Sequence, residues 1–195
     1  MVRMARWEPG APQRLVVAAV DLFTEQGYDA TTVAQIVERA GVTRSTFFRH
    51  FADKREVLVA GQETLSTLLA EGIAEAASGA TPLEAVAAGL ERASGVMGPA
   101  NRELGPRLKA AVAASTELQE RDALKSVGLA AAMTDALVAR GVPDTTAHLA
   151  AELGVLAFKR GYARWSEGDR DDGTGLAQHA LACLTELRAA TASLG

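Results

Sequence analysis

The sequence predicts an all-α protein with an N-terminal domain over residues 1–53 and a C-terminal helical domain over residues 54–195. Of the 195 residues, 40 are alanine and only 6 are proline, and this composition favours helices. Apolar residues recur at intervals of three and four along most of the chain, whereas no long segment alternates as a strand does. Glycine and proline divide these periodic segments into about nine expected helices.

The first predicted helix covers residues 11–26 and ends at Gly27, a residue type that favours the position after a helix. Its apolar positions form one stripe, made of Leu15, Val16, Ala19, Leu22 and Phe23. A second, short helix begins after Thr32, because Thr32 and Gln35 have the spacing of a capping box. Gly41 ends this second helix.

The third predicted helix covers residues 44–50 and follows the second after a very short turn, with Thr43 as its cap. Val42, Phe47 and Phe51 are expected to anchor it on the first two helices. Its other face keeps hydroxyl and basic groups: Thr43, Arg44, Ser45, Thr46, Arg49 and His50. Two helices joined by a tight turn with glycine form a helix-turn-helix, whose second helix can enter the major groove of DNA.

The rest of the chain is expected to be helical as well. A cap at Asp53 and the glutamate at Glu56 predict a long helix over residues 54–77. Five further helices are expected over residues 82–97, 101–114, 116–140, 144–167 and 175–192.

Charge is distributed unevenly along the chain. The net charge is −4, made up of +1 over residues 1–58 (8 basic, 7 acidic) and −5 over residues 59–195 (12 basic, 17 acidic). The acidic total argues against a protein that coats nucleic acid without selectivity. The first residues contain no apolar stretch typical of a secretory signal, and the single cysteine, Cys183, cannot form an intrachain disulfide. We therefore expect a cytoplasmic protein.

Neither metal nor catalytic chemistry is predicted from the residues. His148 and Glu152, like His179 and Cys183, are four residues apart on a helix, but two ligands do not make a zinc site. The acidic turn over residues 169–173 lacks the alternating spacing and the distal glutamate of a calcium loop. Nucleotide-binding glycine motifs and a nucleophile motif are also missing. We expect no cofactor, no metal and no enzyme activity.

At residues 31–58 the sequence resembles the TetR family of bacterial transcriptional regulators. The stretch TTVAQIVERAGVTRSTFFRHFADKREVL follows the family's DNA-binding pattern almost position by position, and the upstream LFTEQGYDATT fits it as well. The match covers about residues 11–60. Two positions depart from the family: Phe48 stands where tyrosine is common, and Ser45 where glycine is common. The tyrosine hydroxyl commonly contacts a phosphate, a bond that Phe48 cannot make, so any contact of Phe48 is apolar.

The resemblance implies a homodimeric repressor of a palindromic operator that a small molecule releases. The residues that it assigns to DNA binding are Thr32, Thr43, Arg44, Ser45, Thr46, Phe48, His50 and Lys54. Arg44, Ser45, Thr46 and His50 would lie near bases, and Thr32, Thr43 and Lys54 near phosphates. The basic residues Arg3, Arg6 and Arg14 form either an arm on the DNA or a disordered tail.

The resemblance further implies that the C-terminal helices enclose a small-molecule effector and that the last two helices form the dimer. Few charges fall within the apolar stripes of these helices, so we expect the effector to be apolar or amphipathic. The predicted lining residues are Leu65, Leu69, Met97, Leu104, Leu108, Met133, Phe158 and Tyr162. A dimer face is predicted around Ala157, Gly161, Trp165 and the stripe Ala177, Ala180, Leu181, Leu184 and Leu187. The long helix over residues 54–77 would transmit ligand binding to the DNA-binding helices as a lever.

Two other classes of protein remain compatible with the sequence. One is a helical ligand-binding protein without specific DNA recognition, for which binding to DNA would depend on salt and not on sequence. The other is an all-α enzyme, which a metal or cofactor bound to the purified protein would indicate.

Overall fold

The computed structural model describes residues 10–168 and 173–194. Within these ranges the chain forms nine α-helices and one 3₁₀ turn and no strand, which confirms the predicted all-α fold. The elements in chain order are α1 (Ala11–Gln26), α2 (Val33–Ala40), α3 (Arg44–His50), the 3₁₀ turn (Lys54–Val59), α4 (Gln62–Glu75), α5 (Pro82–Ser94), α6 (Pro99–Ala113), α7 (Thr116–Ala139), α8 (Asp144–Glu167) and α9 (Leu176–Ala192).

The chain forms two compact units. The first contains the residues up to Ala60 together with Arg107–Arg121, and the second contains Gly61–Pro106 and the residues from Asp122 onward. The boundary expected after residue 53 therefore lies inside the first unit. Residues 107–121, from the second half of the chain, complete this first unit. A division of the chain into two consecutive stretches does not describe this arrangement.

The first unit is built on the helices that the sequence predicts at the N-terminus. Its hydrophobic core cluster draws on α1, α2, α3 with its C-cap, the 3₁₀ turn and the 107–121 segment: Leu15, Ala18, Ala19, Leu22, Phe23, Ile36, Val37, Ala40, Phe47, Phe51, Val57, Leu58, Ala111 and Leu118. Two ion pairs join the segment to the N-terminal part of the unit, Arg107 with Asp21 and Arg121 with Glu56. Burial of this apolar set holds short helices that would be unstable alone.

The prediction of one continuous helix over residues 54–77 is wrong, because a 3₁₀ turn and α4 occupy this segment. Asp53 does act as a cap, since its carboxylate accepts bonds from the backbone N–H groups of Arg55 and Glu56. The turn that follows is 3₁₀, however, and it places Val57 and Leu58 in the core of the first unit. Gly61 then has a φ of +75°, a left-handed conformation that interrupts the helix before α4 begins. Cap signals mark where a helix can start but do not fix its length.

In the second unit, helices pack closely where they carry glycine. A Cβ on Gly72 of α4 would lie 2.7 Å from the backbone of α5, and a Cβ on Gly89 of α5 would lie 2.7 Å from the carbonyl oxygen of Leu69. A Cβ on Gly161 of α8 would lie 2.5 Å from the Cα of Ala180 on α9. Small residues therefore let the helix pairs α4–α5 and α8–α9 approach each other.

The predicted dimer face is wrong for most of its members. Ala157, Gly161 and Trp165 of α8 are buried, and so are Ala180, Leu184 and Leu187 of α9. They belong to the core of the second unit, where α8 packs against α9 of the same chain. A helical stripe that is apolar and rich in small residues can pack against a helix of the same chain or a helix of a second copy. Here it packs against a helix of the same chain.

Arg140, the residue after α7, stabilises the end of α4. Its guanidinium donates to the carbonyl oxygens of Ala74 and Ala76 at 3.0 Å and of Ala77 at 2.7 Å. These carbonyls lie at the C-terminus of α4, where backbone acceptors have no partner within the helix.

Among the described helices, none has the length and apolar character needed to cross a membrane.

Candidate nucleic-acid interface

The turn between α2 and α3 has the geometry that a helix-turn-helix requires. Gly41 adopts φ +64° and ψ +40°, a left-handed conformation that a residue with a side chain rarely adopts. The N–H of Gly41 donates to the carbonyl of Glu38 at 3.1 Å, and the N–H of Val42 donates to that of Val37 at 3.0 Å. These bonds close α2 and turn the chain within three residues into α3.

Helix α3 is capped at its start and anchored on one side. The hydroxyl oxygen of Thr43 accepts a bond from the N–H of Thr46 at 3.2 Å and lies 3.0 Å from the Thr46 hydroxyl. Phe47 is completely buried, and its ring lies 5.6 Å from that of Phe51. The predicted cap and the predicted anchoring by Phe47 and Phe51 are confirmed.

The remaining side chains of α3 form an exposed, positively charged face. Arg44, Ser45, Phe48, Arg49 and His50 are exposed, as is the cap residue Thr43, and Thr46 is half-buried. No acidic residue occurs between Glu38 and Asp53. Short hydroxyl side chains permit a close approach to DNA, and arginine can bind guanine with two hydrogen bonds. The face thus combines the groups that major-groove recognition uses.

A hydrogen-bonded network holds the start of α2. Thr32 and Gln35 form the predicted capping box, in which the Thr32 N–H donates to Gln35 Oε1 at 2.8 Å. The amide of Gln26 at the end of α1 donates to Gln35 Oε1 and to the hydroxyl of Thr31, both at 3.2 Å. The N-terminus of α2 is therefore fixed to α1, with Thr32 exposed beside it.

Lys54 has a structural environment that sequence reasoning missed. Its ammonium donates to the carbonyl oxygens of Tyr28 at 2.7 Å and Thr31 at 2.9 Å, and it lies 4.0 Å from the centroid of the Tyr28 ring. Two of its three N–H groups therefore hold the connection between α1 and α2. The contact of Lys54 with phosphate stays a prediction.

The residues predicted to line an effector pocket occupy different places. Leu65, Leu69, Met133 and Phe158 are buried in the core of the second unit, with Met97 and Tyr162 packed against it. Leu104 is buried on α6, whereas Leu108 packs with the core of the first unit. Their role in binding an effector stays a prediction.

The second unit contains an open cleft of about 370 Å³. Met97 is the one predicted lining residue that contributes to it; the others around it are Gly98, Pro99, Arg102, Glu103, Trp165, Gly173, Thr174 and Gly175. The Arg102 guanidinium lies 5.7 Å from the Trp165 ring centroid. A row of aromatic rings leads from Trp165 along α8, through Tyr162 at 5.8 Å to Phe158 at a further 6.4 Å.

Two polar side chains of this unit, those of Tyr162 and Lys125, are half-buried. The hydroxyl of Tyr162 donates to the carbonyl oxygen of Asn101 at 2.6 Å, and burial raises the pKa of Tyr162 to about 12. Burial also lowers the pKa of Lys125 on α7, although the charge of Asp122 opposes this shift. Sequence reasoning missed Lys125, because a single lysine in a long helix has the pattern of a surface residue.

The weaker site candidates gain no support from the structure. His148 and Glu152 form an exposed pair with 4.0 Å between Nε2 and Oε1. Across residues 10–168 and 173–194, no three His, Cys, Asp or Glu side chains lie close enough together to hold a metal ion. Arg3, Arg6 and the acidic residues 169–172 lie outside the described residues.

Comparisons with known proteins agree with this geometry. Residues 15–60 match the sequence model of the family described as "Bacterial regulatory proteins, tetR family". The HTH-type transcriptional regulator TcmR of Streptomyces glaucescens is 37% identical over 86 residues, which are 40% of this chain and 38% of TcmR. The alignment thus spans little more than a third of that relative's length.

Similarity of fold extends over almost the whole chain. A structure described as a TetR-family transcriptional regulator from Syntrophomonas wolfei superposes with a TM-score of 0.60 at 18% identity, covering 95% of this chain and 96% of that protein. FadR of Bacillus subtilis, solved in complex with stearoyl-CoA, superposes with a TM-score of 0.53 at 19% identity, covering 89% and 96%. The resemblance to the TetR family is confirmed, by sequence at the N-terminus and by fold beyond it.

Proposed function

We propose that this chain, which carries the N-terminal segment of the TetR family, is a sequence-specific DNA-binding transcriptional regulator. In this proposal it acts in the cytoplasm, without enzyme activity, as a homodimeric repressor of a palindromic operator. A small molecule that binds the second unit releases it from DNA. The observation that carries the proposal is the exposed basic and hydroxyl face of α3, held by a glycine turn on one side and by buried Phe47 on the other.

Helix α3 supplies the proposed contacts with bases, and the caps of α2 and α3 supply contacts with phosphates. We place Arg44, Ser45, Thr46 and His50 at base edges and the hydroxyls of Thr32 and Thr43 at phosphates. Thr32 and Thr43 stand at the N-termini of α2 and α3, and the N–H groups of a helix N-terminus favour a negative charge. Lys54 is the remaining member of the predicted phosphate-binding set, and its effect on the salt dependence of binding decides its role.

Dimerisation is proposed through the last two helices, α8 and α9. The proposed interface is the surface of these helices that the rest of the chain does not cover. Leu149 and Leu156 are seven residues apart on α8, and their exposed fractions are 58% and 44%. Seven residues are two helical turns, so the two leucines share a face. A second copy of the chain that covers this face would bring two α3 helices to one DNA duplex, as a palindromic operator requires.

The dimer is tested by changing one leucine. The Leu149→Glu variant is expected to sediment as a monomer, because a buried unpaired carboxylate opposes association. Leu124 on α7 is the matched control, since it is 57% exposed and does not lie on the proposed face. Leu124→Glu is expected to remain dimeric in analytical ultracentrifugation. A dimer with Leu149→Glu and a monomer with Leu124→Glu would move the interface to α7.

For the effector we propose an apolar or amphipathic small molecule. The interior of the second unit supports this class, because Ser94 is the one polar residue among the buried residues described in this unit and an aromatic row runs along α8. FadR of B. subtilis, whose fold this chain shares, holds an amphipathic ligand, stearoyl-CoA. The lining proposed for the effector is the part of the predicted set that belongs to the second unit: Leu65, Leu69, Met97, Leu104, Met133, Phe158 and Tyr162.

Release from DNA requires that the effector binds two states of the dimer with different affinity. Two α3 helices must match half-sites that are one helical turn apart, roughly 34–36 Å, so a small change in their separation reduces the fit. The chain enters the second unit at Gly61, where α4 begins. We propose that α4 moves when the effector binds and carries that change toward the 3₁₀ turn.

The experiment that tests the function is the selection of a preferred duplex from random DNA, followed by binding to that duplex and to a scrambled one at two salt concentrations. We expect a palindromic selected duplex, which the protein binds at least about 10³-fold more tightly than the scrambled duplex. Equal affinities that fall together with rising salt would reject sequence-specific regulation and leave only non-specific binding.

A further inference from the structure

Phe48 is an unusual side chain on the proposed DNA-binding face. Its exposed fraction is 52%, and within the described part of the first unit no other large hydrophobic side chain is exposed. The unit has buried rings nearby, with Phe47 completely covered and Phe51 at 7%. About half of this fully apolar side chain faces water next to exposed Arg44, Ser45 and Arg49, so its position points to contact with a partner.

The Phe48 ring is held in place by the core. It meets the ring of Phe47 edge to face, with 5.3 Å between centroids and an angle of 82° between planes. Phe47 in turn packs on Phe51 at 5.6 Å. A phenyl side chain has two rotatable bonds, and an edge-to-face contact with a buried ring restricts them further. Little conformational entropy is therefore lost when a partner covers the ring.

Phe48 shares a face of α3 with the groups proposed to bind base edges. Arg44 precedes it by four residues and Ser45 by three, the intervals at which side chains of a helix are neighbours. Both are exposed. A surface that brings Arg44 and Ser45 to the major groove therefore brings the Phe48 ring to it as well.

The chemistry of the ring restricts its partner in DNA. A phenyl group has no hydrogen-bond donor or acceptor, so it cannot bind a phosphate oxygen or the polar edge of a base. In the major groove the apolar feature that distinguishes one base from the others is the C5 methyl group of thymine, and phenylalanine is among the side chains that contact it. We propose that Phe48 is a specificity-determining residue that recognises this methyl group in each half-site of the operator, an inference that rests on the proposed function.

Replacement of thymine by uracil tests this directly, because uracil lacks the methyl group and keeps every hydrogen-bonding atom. In the selected duplex each thymine of the half-site is replaced by deoxyuridine, one position at a time and symmetrically in both half-sites. For the unmodified protein we expect one position where the substitution weakens binding about fourfold per half-site, or about 16-fold for the dimer. The Phe48→Ala variant should bind the thymine and uracil duplexes equally.

Two further measurements separate loss of contact from loss of fold. The thermal unfolding midpoint of Phe48→Ala is compared with that of the unmodified protein, and Phe48→Leu, which keeps an apolar side chain, should retain part of the preference for thymine. A Phe48→Ala variant that still loses affinity on uracil substitution would overturn the inference. So would a duplex in which every thymine is replaced without effect.

Failure of the inference is distinguishable from failure of the proposed function. If selection yields no preferred duplex, both are rejected. If selection yields a palindromic duplex that tolerates uracil at every position, the protein is a sequence-specific regulator and Phe48 does not recognise thymine.

Discussion

Lys54 and Tyr28 are in contact through both the backbone and the ring of the tyrosine. The ammonium lies 2.7 Å from the Tyr28 carbonyl oxygen and 4.0 Å from the ring centroid, and it also donates to the Thr31 carbonyl at 2.9 Å. The segment that follows α3 is thereby joined to the connection between α1 and α2. Thr32, the cap of α2, directly follows Thr31. Lys54 therefore helps to fix the position of the helix-turn-helix.

The Lys54→Met variant distinguishes this role from a phosphate contact. Loss of a charged donor from two carbonyls is expected to reduce the free energy of unfolding by about 1–3 kcal/mol. The slope of log K against log salt for operator binding should stay unchanged, whereas loss of one phosphate contact in each protomer reduces its magnitude by about 1 per protomer, or about 2 for the dimer. Urea denaturation and binding titrations at several salt concentrations measure the two quantities.

Arg49→Met is the matched control for Lys54→Met. Arg49 is exposed on α3, so its replacement should change the free energy of unfolding by no more than about 0.5 kcal/mol. Unchanged stability together with a smaller salt slope in Lys54→Met would show that Lys54 binds phosphate.

Arg44→Ala tests base recognition by α3. If the Arg44 guanidinium binds a base edge, the variant should lose about 1–3 kcal/mol of affinity for the selected operator. Its affinity for a scrambled duplex should change much less, because that complex depends on phosphates. Comparison of the two duplexes at one salt concentration measures the difference. Equal losses on both would identify Arg44 as a phosphate contact.

Gly161→Ala has an effect whose sign depends on packing. Helix propensity alone predicts that alanine stabilises the middle of α8 by about 1 kcal/mol. The new Cβ would lie 2.5 Å from the Cα and 2.6 Å from the N of Ala180, however, and the backbone of α9 cannot move away without separating the two helices. We expect a net loss of about 1–3 kcal/mol.

Gly79→Ala provides the comparison for Gly161→Ala in thermal unfolding. A Cβ on Gly79 meets no atom within 4 Å, so this variant should unfold within a few degrees of the unmodified protein. A Gly161→Ala protein that is more stable than the unmodified one would contradict the close packing of α8 on α9.

Tyr162 makes the stability of the protein depend on pH under alkaline conditions. Its pKa is raised by burial from 10.0 to about 12, so the folded chain holds the proton more tightly than the unfolded chain. Below pH 10 the phenol is protonated in both states and its contribution is fully present. Between pH 10 and 12 the unfolded chain ionises first, and up to roughly 2.7 kcal/mol of stability is lost.

The Tyr162→Phe variant isolates this contribution. It lacks the hydrogen bond to the Asn101 carbonyl and is expected to be less stable than the unmodified protein below pH 10. The difference in the free energy of unfolding should narrow as the pH rises from 10 to 12. A difference that stays constant over that range would show that the phenol does not titrate with a raised pKa.

Local signals in the sequence predicted the helices of the helix-turn-helix closely. Thr32 with Gln35 caps α2 and Thr43 caps α3 as predicted, and Gly41 makes the turn between them. These features depend on bonds between residues at most five positions apart, so the order of residues is enough to predict them. The exposed face of α3 was also predictable from the sequence. Phe47 and Phe51 bury one side of this short helix, so only the other side can face solvent.

The sequence by itself therefore determined the all-α class, the helix-turn-helix and the side of α3 that faces solvent. Only the tertiary structure decided that Lys54 binds the α1–α2 connection, that the 107–121 segment joins the first unit, and that α8 and α9 bury their small-residue stripes on each other. The physical reason is that an apolar stripe or a lysine specifies the kind of partner it needs and not where in the chain that partner lies. Contacts between residues far apart in sequence are selected by how all helices pack together.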